Sequence, residues 1–314
     1  MNNDTRIMKV ALTTLGCKVN QCDTAALTLD LQSANFSPAP FNAFADAYII
    51  NTCSVTAFAD FQARQLIRRA QRLNPRARII VTGCYAQTQA EKLAKIDGVT
   101  FVVGNDQKHR IAELLSGTAP ESPGILVSDI FLQKQFLPTP APGLSGRTRA
   151  FFKIQDGCNA FCSYCIVPFA RGKSRSLPVS DVLEGAQNFI LQDYQEIVLT
   201  GIHLGYYGHD LQPATDLPGT LETLLSQHPN ARFRLSSIEP NEISDALLHL
   251  FGAHENLCPH LHIPLQSGDD AILKMMKRRY DTASYRSLME KVASKVTDVA
   301  IGIDVMVGFP GEGE

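Results

Sequence analysis

Short apolar runs alternate with amphipathic stretches along nearly the whole chain, and this alternation leaves few folds open. In the first 115 residues MKVALTTL, AYIIN, RIIVT and VTFVVG read as strands. QCDTAALTLDLQSA and the stretches Ala57–Leu73, Gln87–Lys95 and Gln107–Leu115 read as helices. Strands joined through helices pair parallel, because the crossover returns the chain to the same end of the sheet. The expected class is therefore α/β, with an N-terminal doubly wound parallel sheet. From Ser116 to Gly146 the composition shifts to Pro, Gly and Ser, broken by ILVSDIFL, which reads as a further strand. That shift places a first domain with its linker at 1–146 and a second domain at 147–314. AFFKIQDG, EIVLTGIHL, RFRLSSIEP, HLHIPLQSG and AIGIDVMVGFP follow as strands at β/α spacing, which suits a partial (β/α)6 TIM-like barrel. The last of these ends a few residues before the chain does, so a closing strand is expected to be missing and the sequence to be truncated.

A chain of 314 residues, 45% hydrophobic and 19% charged, has material for two domains with proper cores. No apolar run is long enough for a membrane span, and MNNDTRIMKV has no apolar signal core, so a cytoplasmic protein is expected. Lys and Arg total 29 against 31 acids, which excludes a global electrostatic footprint of nucleic-acid binding. Any RNA contact must use local runs such as QARQLIRRAQRLNPRAR, RGKSR and KMMKRRY, although most such runs are solvated helix faces. Eight cysteines in a cytosolic chain point to metal or redox chemistry rather than disulfides.

Cys158, Cys162 and Cys165 are bunched as C-x3-C-x2-C after the first strand of the second domain, where parallel α/β folds place their chemistry. Three thiolates can hold three irons of a cubane and leave the fourth open to an outside ligand. Structural zinc wants four closed ligands, and only His203 or His209 could improvise one. Cys17, Cys53 and Cys84 are spread, yet each falls just beyond a strand, in LTTLGC, YIINTC and IIVTGC. In a parallel sheet all three emerge at one carboxyl edge, each before a helix whose N-terminal dipole favours negative charge. A second three-cysteine cluster explains this economically; a closed zinc site or unliganded buried thiols are the alternatives. Cys22 is expected on a helix face, and Cys258 stands apart.

GCNAFCSYC, with the aromatic Tyr164 before its last cysteine, resembles the radical S-adenosylmethionine (SAM) signature. LGCKVNQ, NTCSVT and VTGCYAQ resemble the three cluster-bearing segments of the methylthiotransferases within that superfamily. The resemblance spans essentially the whole chain. It implies two [4Fe–4S] clusters and SAM as cofactors, with Cys158, Cys162 and Cys165 holding the cluster whose open iron binds the amino and carboxylate groups of SAM. Reductive cleavage would give a 5′-deoxyadenosyl radical, fed by an external electron donor such as flavodoxin or ferredoxin. Cys17, Cys53 and Cys84 would hold an auxiliary cluster at which a sulfur is methylated and delivered. The strand ends TGIH, SSIEP, IPLQSG and VGFPGE, readable as ordinary turns, match family motifs and place Gly201, Ser237, Glu239, Gln266 and Gly308 near SAM. LGCKVNQ with HIPLQSGDD and KRRY is most similar to the branch that modifies C2 of N6-threonylcarbamoyladenosine next to the anticodon of tRNA. Sister branches act on isopentenyladenosine in tRNA and on a ribosomal protein aspartate. The family's C-terminal RNA-binding β-barrel is not found in this sequence. Readings of another class are a non-enzymatic two-cluster electron carrier and an inactive fragment.

Overall fold

A computed structural model describes residues 7–137 and 148–313. The described residues form two compact units, one of residues 7–137 with Ile166–Lys173 and the other of residues 148–165 with 174–313. The boundary expected at Gly146, and nearly all of LPTPAPGLSG, lie outside the described residues.

The first unit is built on β1 Lys9–Thr14, β2 Ser37–Ala39, β3 Ala47–Thr52, β4 Arg78–Gly83, β5 Val99–Val103 and β6 Gly124–Leu126. All pair parallel in the order β2-β1-β3-β4-β5-β6, so the winding reverses at β1 as a doubly wound sheet requires. Its helices are α1 Lys18–Ser33, α2 Ala57–Leu73, α3 Cys84–Thr88, α4 Ala90–Ala94, α5 Ile111–Ser116 and α6 Val167–Arg171. Successive strand residues point to opposite faces. Tyr48, Ile50, Ile79 and Val81 therefore meet Ala63, Ile67 and Ala70 of α2 and Leu93 of α4 on one side. Ala47, Ile49 and Ile80 meet Leu27 and Leu31 of α1 and Ile111 and Leu115 of α5 on the other. With helices on both faces, all six residues of β3 are buried, which is why its first four, Ala47 to Ile50, are continuously apolar instead of alternating.

Helix α2 has the expected bounds: Thr56 caps it by accepting from the Ala59 N–H at 3.1 Å, and Asn74-Pro75 stops it. Three expectations differ. The helix over Gln87–Lys95 is two single turns, because Gln89 leaves the helical region at φ −139°, ψ 41°. The one over Gln107–Leu115 opens as a 3-10 turn, Asn105–Arg110, before α5. ILVSDIFL keeps only β6 extended, since the Asp129 carboxylate accepts from the Phe131 N–H and turns Ile130–Leu132 into a 3-10 turn.

The second unit contains β7 Arg149–Lys153, β8 Gln155–Asp156, β9 Arg175–Ser176, β10 Glu196–Thr200, β11 Arg232–Leu235, β12 His260–His262 and β13 Ala300–Gly302. Around them lie α7 Val179–Leu191, α8 Leu217–Gln227, α9 Asp245–Ala253, α10 Asp270–Met275 and α11 Thr282–Lys295. β7, β10 and β11 pair parallel in sequence order, as do β12 and β13. The parallel bridges Phe233–Leu257 and Ser237–His262 carry the series from β11 to β12. The five expected strands are thus successive parallel neighbours, the arrangement of a partial barrel, while β8 and β9 form a small antiparallel flap beside the cysteine loop. Among the described residues no helix is long and apolar enough to cross a membrane.

Candidate functional site

Strands β1, β3 and β4 are neighbours in the first sheet, and the chain leaves all three at the same edge. Cys17 is the residue before α1, Cys53 follows β3 directly, and Cys84 opens α3. The two Gly-Cys pairs make tight exits: Gly16 has φ +92° and Gly83 φ +95°. A Cβ on Gly16 would lie 2.8 Å from the Cys53 Sγ, so the Cys17 loop is pressed against Cys53, and a Cβ on Gly83 would run into the Thr52 carbonyl. Cys53 and Cys84 are buried and Cys17 is exposed. Burial pushes the Cys53 thiol up, the Val55 N–H opposes this, and the nearby sulfurs of Cys84 and Cys17 push it further. The fold therefore brings Cys17 and Cys84 within electrostatic reach of Cys53.

Beneath them, Asn20 and Asn51 lock the edge. Asn20 Nδ2 donates to the carbonyls of Leu15 at 2.8 Å and Thr52 at 2.9 Å, while Asn51 Nδ2 donates to the Asn20 carbonyl and to Thr24 Oγ1, both at 2.9 Å. Two basic groups share the buried Asp23 carboxylate, Arg171 at 2.9 Å and Lys108 at 2.8 Å. Burial lowers the pKa of Lys108 against the pull of Asp23, and Cys84 lies within its field. Thiols with N–H and cationic neighbours are a donor set that fits an anionic [4Fe–4S] cluster. Among the described residues no three His, Cys, Asp or Glu are grouped as on a single metal ion, and the thiols of a cubane each take a different iron.

In the second unit the loop after β8 carries Cys158, Cys162 and Cys165, entered through Gly157 at φ +75°. Each part is held from outside the loop. His203 Nδ1 lies 3.4 Å from Cys158 Sγ, Arg278 donates to Cys162 Sγ at 3.3 Å, and Ser163 Oγ donates to the Met275 carbonyl at 2.8 Å. The Ala160 N–H adds a donor to Cys158 Sγ at 3.4 Å. Burial alone would lower the His203 pKa, but Cys158 at one ring nitrogen and Glu242, 2.5 Å from the other, raise it to about 10. The donors at Cys158 and Cys162 likewise fit sulfur ligands of an anionic cluster.

The residues expected near SAM fall at several places. Gly201 follows β10, and a Cβ there would lie 2.8 Å from Gln155 Oε1, the atom that accepts from the His203 N–H at 2.7 Å. Ser237 Oγ is 2.8 Å from His262 Nδ1. Glu239 is ion-paired to Arg278; burial raises its pKa against the pull of that guanidinium. Ala160, Cys162, His203, Glu239 and Arg278 line one shallow cleft. Gln266, at φ +67°, is bridged to Val305, and Gly308, at φ +75°, has open space where a side chain would be. Cys22 is buried on α1, and Cys258 accepts from Arg232 Nε at 2.7 Å, away from both trios in sequence.

Arg278, Gln155, Asn20 and Asp23 were not singled out from sequence. Arg278 sits in KMMKRRY, which looks like a solvated run, yet its side chain is 4% exposed and stacks over Tyr280 with Cζ 5.0 Å from the ring centroid. The signal available was the Tyr two residues on, a cation-π partner.

Residues 152–314 match the Radical SAM superfamily, and residues 9–104 match a family described as uncharacterized protein family UPF0004. Threonylcarbamoyladenosine tRNA methylthiotransferase MtaB of Bacillus subtilis is 40% identical over 97% of this chain and 68% of its own length. Its namesake in Aquifex aeolicus is 37% identical over 98% of this chain and 75% of its own. The tRNA-2-methylthio-N(6)-dimethylallyladenosine synthase of Desulfotalea psychrophila is 32% identical over 95% and 70%. Among solved structures, the radical SAM methyltransferase TsrM of Kitasatospora setae shares the fold, with a TM-score of 0.68 at 14% identity over 97% of this chain and 68% of that one.

Proposed function

The chain belongs to the methylthiotransferases of the radical SAM superfamily, sulfur-group transferases that use SAM and a [4Fe–4S] cluster, and we propose that it methylthiolates C2 of N6-threonylcarbamoyladenosine beside the anticodon of tRNA. The observation that carries the two-site reading is the exit of Cys17, Cys53 and Cys84 from three neighbouring parallel strands, with Cys53 in the field of the other two. We further propose that this trio holds an auxiliary cluster, and that the electron donor is a flavodoxin or ferredoxin.

An aromatic C2–H has no acidity or leaving group for a base or nucleophile to use at neutral pH, so a radical route suits it. When bound, the cluster of Cys158, Cys162 and Cys165 supplies the electron that cleaves SAM, and that of Cys17, Cys53 and Cys84 the sulfur to be transferred. The chain's own residues position and shield. His203, Arg278 and the Ala160 N–H direct donors at Cys158 and Cys162. Glu239, held by Arg278 in the same cleft, is a carboxylate suited to an amino group. Gly201 leaves room for Gln155, whose side chain also donates to the Gly157 carbonyl at 2.8 Å and so fixes the entry to the cysteine loop.

Relatives from five organisms carry the threonylcarbamoyladenosine name at 34–40% identity. The dimethylallyladenosine relative at 32% keeps isopentenyladenosine as the second reading. Anaerobic reconstitution followed by incubation with SAM, reductant and tRNA, then mass analysis of the nucleosides, separates them. The expected product is 2-methylthio-N6-threonylcarbamoyladenosine. A methylthio group only on isopentenyladenosine favours the second reading, and no SAM cleavage at all favours an electron carrier.

A further inference from the structure

The outward face of α2 joins two features that a merely solvated helix would not combine. Phe58 and Phe61, the second and fifth residues of the helix, are 66% and 48% exposed, and Val55 just before it is 61% exposed. The two rings lie near-parallel at 23°, with centroids 6.4 Å apart. From them a single ridge continues through Gln65, Arg68 and Arg72 in steps of three and four residues, all exposed, with Arg69 beside it. Residues 57–78 contain six arginines and one acid, Asp60, in a chain whose formal net charge is −2. Arg64 and Arg78 are used internally, on Tyr85 Oη and on the carbonyls of Leu115 and Gly117. Among the described residues no acid pairs with Arg68, Arg69 or Arg72.

We propose that this ridge is a docking surface for single-stranded RNA, with unpaired bases stacking on Phe58 and Phe61 and the backbone phosphates following Arg68, Arg69 and Arg72. Aromatic faces accept any base, and arginine forks match phosphate oxygens in pairs. From Phe58 to Arg72 the ridge spans about 21 Å, room for several nucleotides. Its aromatic end is five residues beyond Cys53, the side on which a base must arrive if sulfur is supplied there. The inference rests on the reading of tRNA as substrate and deepens it: the loop is gripped by the cysteine-bearing sheet domain itself.

The test uses the full chain and a fluorescently labelled anticodon stem-loop RNA, read by anisotropy over a salt series. Phe58→Ala/Phe61→Ala is expected to weaken binding about tenfold or more with the salt slope unchanged. Arg68→Gln/Arg69→Gln/Arg72→Gln is expected to lower that slope by about 2, one phosphate contact per arginine. All five side chains are exposed, and circular dichroism matching the parent shows that the fold is kept. If the parent methylthiolates tRNA while both variants bind the stem-loop as it does, the surface is refuted and the functional reading stands. If the variants behave as expected but no methylthio nucleoside forms, the surface stands and that reading falls. A parent that does not bind the stem-loop at low salt overturns the surface, as does unchanged RNA affinity with lost reduction by flavodoxin, which would assign the ridge to an acidic protein.

Discussion

At the scale of single residues, the two glycines before Cys17 and Cys84 are as constraining as the cysteines themselves. Gly83 combines φ +95° with a neighbour that cannot yield, the main chain of Thr52 on the adjacent strand. Gly83→Ala must therefore move the exit of β4, at a cost of about 1–3 kcal/mol for a side chain forced into that region. We expect a lower melting temperature together with reconstituted iron falling from roughly eight per chain towards four, measured by calorimetry and iron assay. Arg278→Lys addresses the other trio. The guanidinium reaches Cys162 Sγ at 3.3 Å, Glu239 and Tyr280 Oη at 3.1 Å together, which a single ammonium cannot do. Losing one charge-assisted bond of about 1.5–3 kcal/mol predicts 5′-deoxyadenosine formation slowed roughly ten- to hundredfold, with the iron content kept. Cys17, Cys53 and Cys84 were legible in the sequence because each follows an apolar run, and Cys158, Cys162 and Cys165 because they are bunched at a telling spacing. Arg278 and Asp23 were not, because only tertiary packing distinguishes a buried charge from a solvated one.

At the scale of elements, legibility followed the strength of local signals. Helix α2 announced itself at both ends, with a Thr cap, buried Ala63, Ile67 and Ala70 at helical spacing, and Asn-Pro after it. Strand β2 was missed because Ser37-Pro38-Ala39 has no β-branched or aromatic residue. Proline is tolerated there since β2 has a neighbour on one side only. Strands β12 and β13 are three residues long, far shorter than HLHIPLQSG and AIGIDVMVGFP suggested; beyond them Gln266–Val305 pairs only as an isolated bridge. The outer helices of the second unit are tied by charge: Asp245 at the start of α9 takes Lys291 at 2.8 Å and Lys295 at 2.6 Å from α11. Hydrogen bonds from Lys291 and Lys295 hold the Asp245 carboxyl down at about 2, from 3.8. A depressed folded-state pKa stabilises above the unfolded value and stops doing so as pH falls through the folded one. The melting-temperature gap between the parent and Asp245→Asn should therefore be present at pH 6, shrink below about pH 4 and close near pH 2. Because the carboxylate is exposed, added salt should narrow it at pH 6. A gap that persists at pH 2 would count against this tie.

At the scale of the whole molecule, one physical rule was applied twice. Parallel strands connected through helices deliver their carboxyl ends to one edge, and the chain sets a glycine turn and a cysteine, or a whole cysteine loop, at that edge in each of its two units. The rule explains why spread cysteines and bunched ones can serve the same purpose. Cys17, Cys53 and Cys84 are gathered by three strand ends, whereas Cys158, Cys162 and Cys165 are gathered by one loop. Each set belongs to a different unit with its own packed core, so removing one should leave the other competent. Replacing Cys17, Cys53 and Cys84 with Ala should reduce reconstituted iron from roughly eight to roughly four per chain. It should preserve reductive cleavage of SAM to 5′-deoxyadenosine and abolish methylthiolated nucleoside. Replacing Cys158, Cys162 and Cys165 should halve the iron equally but abolish both products. Identical losses from the two triple variants would mean that the six thiols build a single centre. Methylthiolation surviving without Cys17, Cys53 and Cys84 would mean that the sulfur is delivered from elsewhere.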